Sequence, residues 1–251
     1  MPDQTLTAYP VVADAPSLNA FLSRVFSATE KLRVIGSAGG FHTELQIGDT
    51  ALMVGGGGEG VSWNGTPAPM AFHIYVPDVD AVYHRAVDEG ARSLQEPVDQ
   101  EWGERTANIA DPAGNFWYIA TFKGENYFSD GAPTVQPFLQ PVRSEPLIDF
   151  LMQAFDAVEL GRAATPDGAV LHTTLKIGNS AMEMFDANGI YQPMPGMFML
   201  RVDDADATHT RAVRHGAQSI FPPADQPHGD RMGAIKDLAG NSWYIAHRIG
   251  V

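Results

Sequence analysis

One phrase is written twice in this chain: DPAGNFWYIA at Asp111 to Ala120 and DLAGNSWYIA at Asp237 to Ala246. Asn115 and Asn241 stand 126 residues apart, and the match extends upstream at that spacing. YVPDVDAVYHRAVDEGARS (75–93) lies against RVDDADATHTRAVRHGAQS (201–219), and WGERTANIADPAGN (102–115) against HGDRMGAIKDLAGN (228–241). Further back FHTELQIGDTA (41–51) faces LHTTLKIGNSA (171–181) at a spacing of 130, and LNAFLSRVFSATE (18–30) faces LIDFLMQAFDAVE (147–159) at 129. The drift places about four extra residues in the first copy within GGGGEGVSWNGTPAP, where a connection tolerates insertion. A repeat on this scale fixes the architecture before any single element is assigned. The chain divides into two tandem modules, 1–123 and 133–251, joined near Lys123 to Pro133.

Within each module the local signals agree. LTAYPVV and TVQPFLQPV read as strands, and the first is followed by a helix with apolar spacing at Leu18, Phe21, Leu22, Val25 and Phe26. FHTELQI and TALMV flank Gly48-Asp49, a two-residue hairpin signal. AFHIYV is a strand, and DVDAVYHRAV is an amphipathic helix with Asp78 near its start and Gly90 past its end. Two strands around ERTANIAD and NFWYIAT close the module across Asp-Pro-Ala-Gly-Asn, where Pro112 presets φ and Gly114 or Asn115 accepts a left-handed conformation. The legible elements give β-α-β-β twice per module. The expected fold class is α+β: two tandem βαβββ-type modules, curved mixed sheets with helices on the outer face.

Composition removes several functions. With no cysteine, disulfides, thiolate metal sites and thiol nucleophiles are excluded. A formal charge of −14 speaks against nucleic acid, whose phosphates need clustered Lys and Arg; it suits solubility or the attraction of a cationic ligand. No apolar run is long enough to span a membrane, and MPDQTLTAYP lacks the features of a signal peptide, so a cytoplasmic location is the default.

The Asp-Pro-x-Gly-Asn turn before a final strand, the VPDVDAVYHRAV helix entry and the IGDTALM hairpin resemble the vicinal oxygen chelate superfamily of glyoxalases, bleomycin-resistance proteins and extradiol dioxygenases. WGER…DPAGNFW is most similar to the branch labelled glyoxalase/bleomycin-resistance or demethylubiquinone-methyltransferase-like. The resemblance covers each module once. It implies a divalent metal held by His or Gln on the first strand, His on the strand before the second helix, and Glu on the last strand. Those positions fall on Thr7 and Gln136, on Ala71 and Met197, and on Tyr118 and Tyr244. Only Gln136 is a competent ligand type, so the usual metal centre is not expected in either module.

Alternation along strands indicates what lines the sheets instead. The expected lining of module one is Tyr9, His42, Glu44, His73, Tyr75, Phe116 and Tyr118, with Trp117, Ile119, Leu45 and Ile47 turned to the helices. That of module two is Gln136, Phe138, His172, Thr174, Glu183, Met199 and Tyr244. Three readings stay open. The two faces fill each other and their polar groups are merely satisfied; or an aromatic pocket stacks a flat organic ligand; or His42, Glu44 and His73 form a relocated metal or acid-base site. GGGGEG (55–60) lacks the Lys-Ser/Thr of a phosphate loop and reads as a flexible loop at a pocket rim or elsewhere on the surface. Arg105 and Arg231 read as strand-fixing partners of Asp, with anion binding as the alternative. Trp102 near Trp63 suggests a pocket mouth or an interface. His84, His209 and His215 read as solvated, and His247 as ambiguous.

Two functions follow. The first is a metal-independent binding protein of the bleomycin-resistance kind, sequestering a small aromatic or cationic molecule in the cupped sheet, an antibiotic among the candidates. The alternative is a glyoxalase- or dioxygenase-like metalloenzyme, a lyase or dioxygenase with a displaced divalent-metal site. The expected partner is a small-molecule ligand, without nucleic acid or membrane, the chain being a monomer or homodimer.

Overall fold

The computed structural model describes residues 4–123 and 133–249, and the joint between the repeats falls largely outside them. Contacts group the chain into two units: Tyr9–Phe138, and Leu139–Val251 with Asp3–Ala8. Along the first repeat run β1 (Leu6–Ala8), β2 (Val11–Val12), α1 (Ala15–Phe26), β3 (Thr29–Ile35), β4 (Phe41–Ile47) and β5 (Thr50–Gly56). They are followed by β6 (Ala71–Tyr75), α2 (Val79–Asp88), β7 (Arg92–Asp99), β8 (Glu104–Ala110) and β9 (Phe116–Phe122). The second repeat gives β10 (Val135–Leu139), α3 (Ser144–Phe155), β11 (Val158–Ala164), β12 (Val170–Ile177) and β13 (Ser180–Met184). It closes with β14 (Met197–Arg201), α4 (Ala205–Arg214), β15 (Gln218–Asp225), β16 (Asp230–Lys236) and β17 (Ser242–Arg248).

Each half-module is therefore β-α-β-β-β, with one strand more than the sequence signals marked. The four added strands, β3, β7, β11 and β15, all end a row of paired strands. An end strand is paired along one edge only and buries little of either face, so it needs no alternation of apolar residues. All seven residues of β3 are exposed, and β7 and β15 carry Pro97 and Pro222-Pro223 at register shifts, as suits strands with a free edge.

The first strands are exchanged between the repeats. In the unit Tyr9–Phe138 one sheet has the order β10-β6-β9-β8-β7 and the other β2-β5-β4-β3. In the second unit the rows are β1-β14-β17-β16-β15 and β11-β12-β13. A hairpin turn catches each incoming strand. Asp49 Oδ1 accepts from Thr134 N at 2.7 Å and Thr50 Oγ1 from Val135 N at 3.0 Å, while Asn179 and Ser180 accept from Thr5 N and Leu6 N at 2.8 and 3.0 Å. Gly48 has φ +57°, and a Cβ there would lie 2.3 Å from Thr134 Oγ1. Only glycine allows both the turn and this close approach.

The apolar faces meet the helices as alternation requires. All five spaced residues of α1 are buried, and Trp117 lies 4.6 Å from Phe26 and 4.5 Å from Phe72 between ring centroids. Trp243 repeats this with Phe155 and Phe198 at 4.8 and 4.6 Å. Asp14, Asp78 and Asp204 each cap a helix by accepting a backbone N–H. The expected flexible loop at GGGGEG begins instead as ordered sheet. Gly55 and Gly56 extend β5 along β2, and Gly57 N donates to Val12 O at 3.1 Å. A Cβ on Gly56 would lie 1.8 Å from Val12 O, so the glycines permit backbone approach rather than mobility.

The duplicated phrase proves to be a buried latch. Asp111 Oδ1 accepts from Ala113 N and Asn115 N, and its Oδ2 from Asn115 Nδ2 and Trp117 Nε1, all at 2.9–3.0 Å. Asn115 Oδ1 in turn accepts from Met70 N at 2.9 Å, tying the turn to the entrance of β6. Asp237, Asn241, Trp243 and Gly196 N repeat every bond. Burial pushes both aspartates above the usual carboxylate range, against four donors that favour the ionised form. Replacing Asp111 with alanine leaves a buried indole N–H, an amide and two backbone N–H groups without their acceptor. Asp111→Ala is expected to cost about 2–4 kcal/mol, read as a fall in the urea midpoint at an unchanged slope.

Candidate functional site

Strand pairing in the first unit lines up one polar residue from each of five strands. Gln136 of β10 stands opposite His73 of β6, His73 opposite Tyr118 of β9, Tyr118 opposite Asn108 of β8, and Asn108 opposite Gln95 of β7. Residues paired across strands share a face, so amide, imidazole, phenol, amide and amide form a row across the sheet. Aromatic rings flank it. His73 lies 4.5 Å from Tyr75 and 6.0 Å from Phe138, and Tyr118 meets Phe138 edge-on at 4.6 Å. Gln136, His73, Asn108, Tyr75 and Phe138 are buried, while Tyr118 and Phe116 are half-buried. Asn108 Nδ2 donates to Gln95 Oε1 at 3.5 Å, and Gln95 and Gln100 both donate to Thr106 Oγ1. Gln136 Oε1 is buried without a hydrogen-bond partner.

The matching row of the second unit is different. Thr7 of β1, Met199 of β14, Tyr244 of β17 and Ala234 of β16 stand opposite one another in turn. Tyr244 contacts Phe221 at 6.1 Å, and burial raises its phenol pKa, which keeps it protonated. The two copies share a tyrosine and little else along the row.

Gln136 and Phe138, expected among the lining of the second module, stand instead with His73, Tyr75 and Tyr118, because β10 pairs with β6. The residue in register with both Gln136 and Tyr118 is His73, so the middle ligand position falls there and not on Ala71; in the other copy it is Met199, not Met197. The trio His42, Glu44 and His73 does not assemble: among the described residues no three His, Cys, Asp or Glu side chains gather at a point that suits a metal. His42 and Glu44 lie on β4, in the other sheet of the unit, where Tyr9 Oη is 2.6 Å from His42 Nδ1 and His42 Nε2 is 3.7 Å from Glu44. In the second unit His172 Nε2 is 3.3 Å from Glu183, with Thr174 opposite Glu183 in register.

Other sequence expectations resolve one by one. Arg105 binds Asp80 through two nitrogens at 2.6 and 2.8 Å and Asp99 at 3.0 Å, and Arg231 repeats this with Asp206 and Asp225. Both are braces between helix and sheet. His209 is buried rather than solvated, with Nε2 2.9 Å from Ser219 Oγ, and His247 Nδ1 accepts from Ala205 N at the start of α4. Trp63 covers Gly40, Gly57 and Gly65, and Trp102 is 66% exposed with its indole N–H donated to Glu104 at 2.8 Å.

Glu104 is the residue that sequence reasoning passed over. It is buried at the end of the row's face and accepts Tyr75 Oη at 3.0 Å as well as the Trp102 indole. Its repeat partner Asp230 is equally buried but faces Arg201 at 2.6 Å, Arg248 at 3.3 Å and His228 at 3.6 Å. A carboxylate repeated at WGER and HGDR was the available signal.

The fold defines a tandem βαβββ protein whose first unit keeps a polar row on one sheet face. Residues 11–119 and 142–245 match the model of the Glyoxalase/Bleomycin resistance protein/Dioxygenase superfamily, and the chain belongs to that family. It is 31% identical over 140 residues to “Uncharacterized protein MT0910” of Mycobacterium tuberculosis, covering 51% of this chain and 81% of the relative. It is 27% identical over 187 residues to “Putative glyoxylase CFP32” of Mycobacterium bovis, covering 70% and 68%. Among solved structures, glyoxalase I from Zea mays shares the fold with a TM-score of 0.72 at 14% identity, covering 96% of this chain and 92% of that one. None of the described helices is long and apolar enough to cross a membrane.

The family implies a divalent metal. Within the first unit the row offers an amide oxygen, an imidazole and a neutral phenol where a carboxylate would stand, which falls short of the donor set such an ion requires. Tyr75→Phe should leave Glu104 with one donor fewer and lower stability by about 1–2 kcal/mol, measured by chemical denaturation.

Proposed function

We propose that the protein binds a small aromatic or cationic organic molecule against the row Gln136–His73–Tyr118–Asn108, without a metal, as a sequestering or resistance-type member of its family. The observation that carries this reading is the register of that row: amide, imidazole and phenol groups side by side, flanked by Tyr75, Phe138 and Phe116. Aromatic faces supply stacking area, and amide and imidazole groups fix orientation. A formal charge of −14 adds a long-range attraction for cations.

A metalloenzyme remains the second reading, and one observation favours it: the buried, unpartnered Gln136 Oε1 stands opposite His73. The name of the mycobacterial relative, a glyoxylase, and the fold shared with glyoxalase I point the same way.

Two measurements separate the readings. Protein purified without a histidine tag is titrated with aromatic and cationic compounds, following tryptophan quenching and thermal shift. The binding reading expects saturable quenching by at least one compound, weakened roughly tenfold or more, about 1.4 kcal/mol, in His73→Ala and Tyr118→Ala. Metal analysis of the same preparation gives the second. Stoichiometric Fe, Mn, Ni or Zn, lost on His73→Ala or Gln136→Ala, overturns metal independence.

A further inference from the structure

A buried carboxylate stands at the same place in both copies, and its surroundings differ in one consistent way. Glu104 of β8 and Asp230 of β16 are equivalent at the spacing of 126, and both are buried. In the second unit Asp230 is met by Arg201 Nη1 at 2.6 Å, Arg248 Nε at 3.3 Å and His228 Nε2 at 3.6 Å. The equivalents of those three residues in the first copy are Tyr75, Phe122 and Trp102. Every basic neighbour of the acid in one copy is an aromatic residue in the other. A buried carboxylate needs a cation or several hydrogen bonds to offset its desolvation, and the second copy takes the cation from its own chain.

The first copy supplies less. Tyr75 Oη donates to Glu104 Oε1 at 3.0 Å and the Trp102 indole N–H to Oε2 at 2.8 Å. That is one neutral donor for each oxygen, where a carboxylate accepts about four. Among the described residues no ion pair reaches Glu104: the basic residues nearest on its own strand and on β9 are committed elsewhere, Arg105 to Asp80 and Asp99, and Lys123 to Asp99. Phe122 stands opposite Glu104 in register, and Tyr75 stands opposite Ala120, two residues before Phe122, so all three share a face of the sheet. Trp102 closes the group from the solvent side, with most of its ring exposed.

We propose that Glu104, Tyr75, Trp102 and Phe122 form a cage for the cationic nitrogen of an organic ligand. The place that Arg201 fills beside Asp230 is filled in the first unit by the ligand. Aromatic faces attract an organic cation through their quadrupoles, and the remaining lone pairs of the carboxylate accept its N–H groups. Tyr75 joins the cage to the polar row, for its ring lies 4.5 Å from that of His73. The two residues are two apart on β6, about 7 Å of strand. A ligand ring set against His73 therefore brings its nitrogen to Glu104 when two or three carbons join them. The ligand class is an arylalkylammonium. This assignment rests on the reading of the row as a binding face, and adds which end of that face takes the charge.

Calorimetric titration of the full chain compares 2-phenylethylammonium and 3-phenylpropylammonium with the neutral 2-phenylethanol and 3-phenylpropanol. Wild type should bind at least one ammonium roughly tenfold tighter than its alcohol. Glu104→Gln should bring that ratio close to one, and Trp102→Ala, altered at an exposed ring, should lower it about threefold. Glu101→Gln removes the same charge from the exposed residue beside Trp102 and should leave the ratio unchanged, which separates the cage from the long-range pull of an acidic chain. Tyr75→Arg gives the first unit the guanidinium of the second, so it should fill the cage from within and abolish ammonium binding. His73→Ala reads the row: it should weaken ammonium and alcohol alike while the ratio persists. Ammonium bound no better than alcohol or not at all, a ratio undiminished in folded Glu104→Gln, an equal loss in Glu101→Gln, or ammonium binding that survives in folded Tyr75→Arg would each overturn the cage. Binding indifferent to His73→Ala would instead overturn the row.

Discussion

A handful of hydrogen bonds at a two-residue turn decides what this protein's best candidate site is made of. Asp49 and Thr50 accept the backbone N–H groups of Thr134 and Val135, and that contact seats β10 on β6 with Gln136 opposite His73. A slip of one residue would turn Gln136 and Phe138 to the other face and replace them by Val135 and Pro137. Gly48 is the condition for the seat, since any side chain there would strike Thr134. The polar row, its aromatic flanks and the position of Tyr118 within it all descend from this register.

Much of the fold was legible because duplication supplied two readings of each element. The helices α1 and α2 announced themselves through spacing and Asp caps, and the hairpin through Gly48-Asp49. The four end strands stayed hidden because burial writes the alternating pattern, and these strands bury too little to carry it. The exchange of first strands was hidden for another reason. Nothing in Val135–Leu139 says which β6-like strand it will pair with, as both repeats offer one, and the choice is made by contacts remote in sequence.

The candidate site was legible residue by residue but not in its grouping. Strand alternation correctly joined His73 with Tyr75, and turned Trp117 away from Tyr118. It assigned Gln136 and Phe138 to the wrong companions, and it offered His42, Glu44 and His73 as one cluster when they lie on two sheets. Composition and periodicity describe one element at a time, whereas a site is a statement about several. The buried Glu104 and Asp230 escaped notice because a carboxylate beside an arginine reads as a surface ion pair until its burial is known.

The covalent joining of the repeats has a consequence of its own. Two identical chains related by a twofold axis must carry identical sites, and a substitution that improves one alters both. Fusion lifts that obligation. One copy here carries Gln, His and Asn on either side of its tyrosine; the other carries Thr, Met and Ala around the equivalent tyrosine, and both have the latch, Asp237 in the second copy, that holds the last strand. The second half is thereby free to serve as scaffold, or to acquire a specificity that no symmetric assembly of a single half could hold.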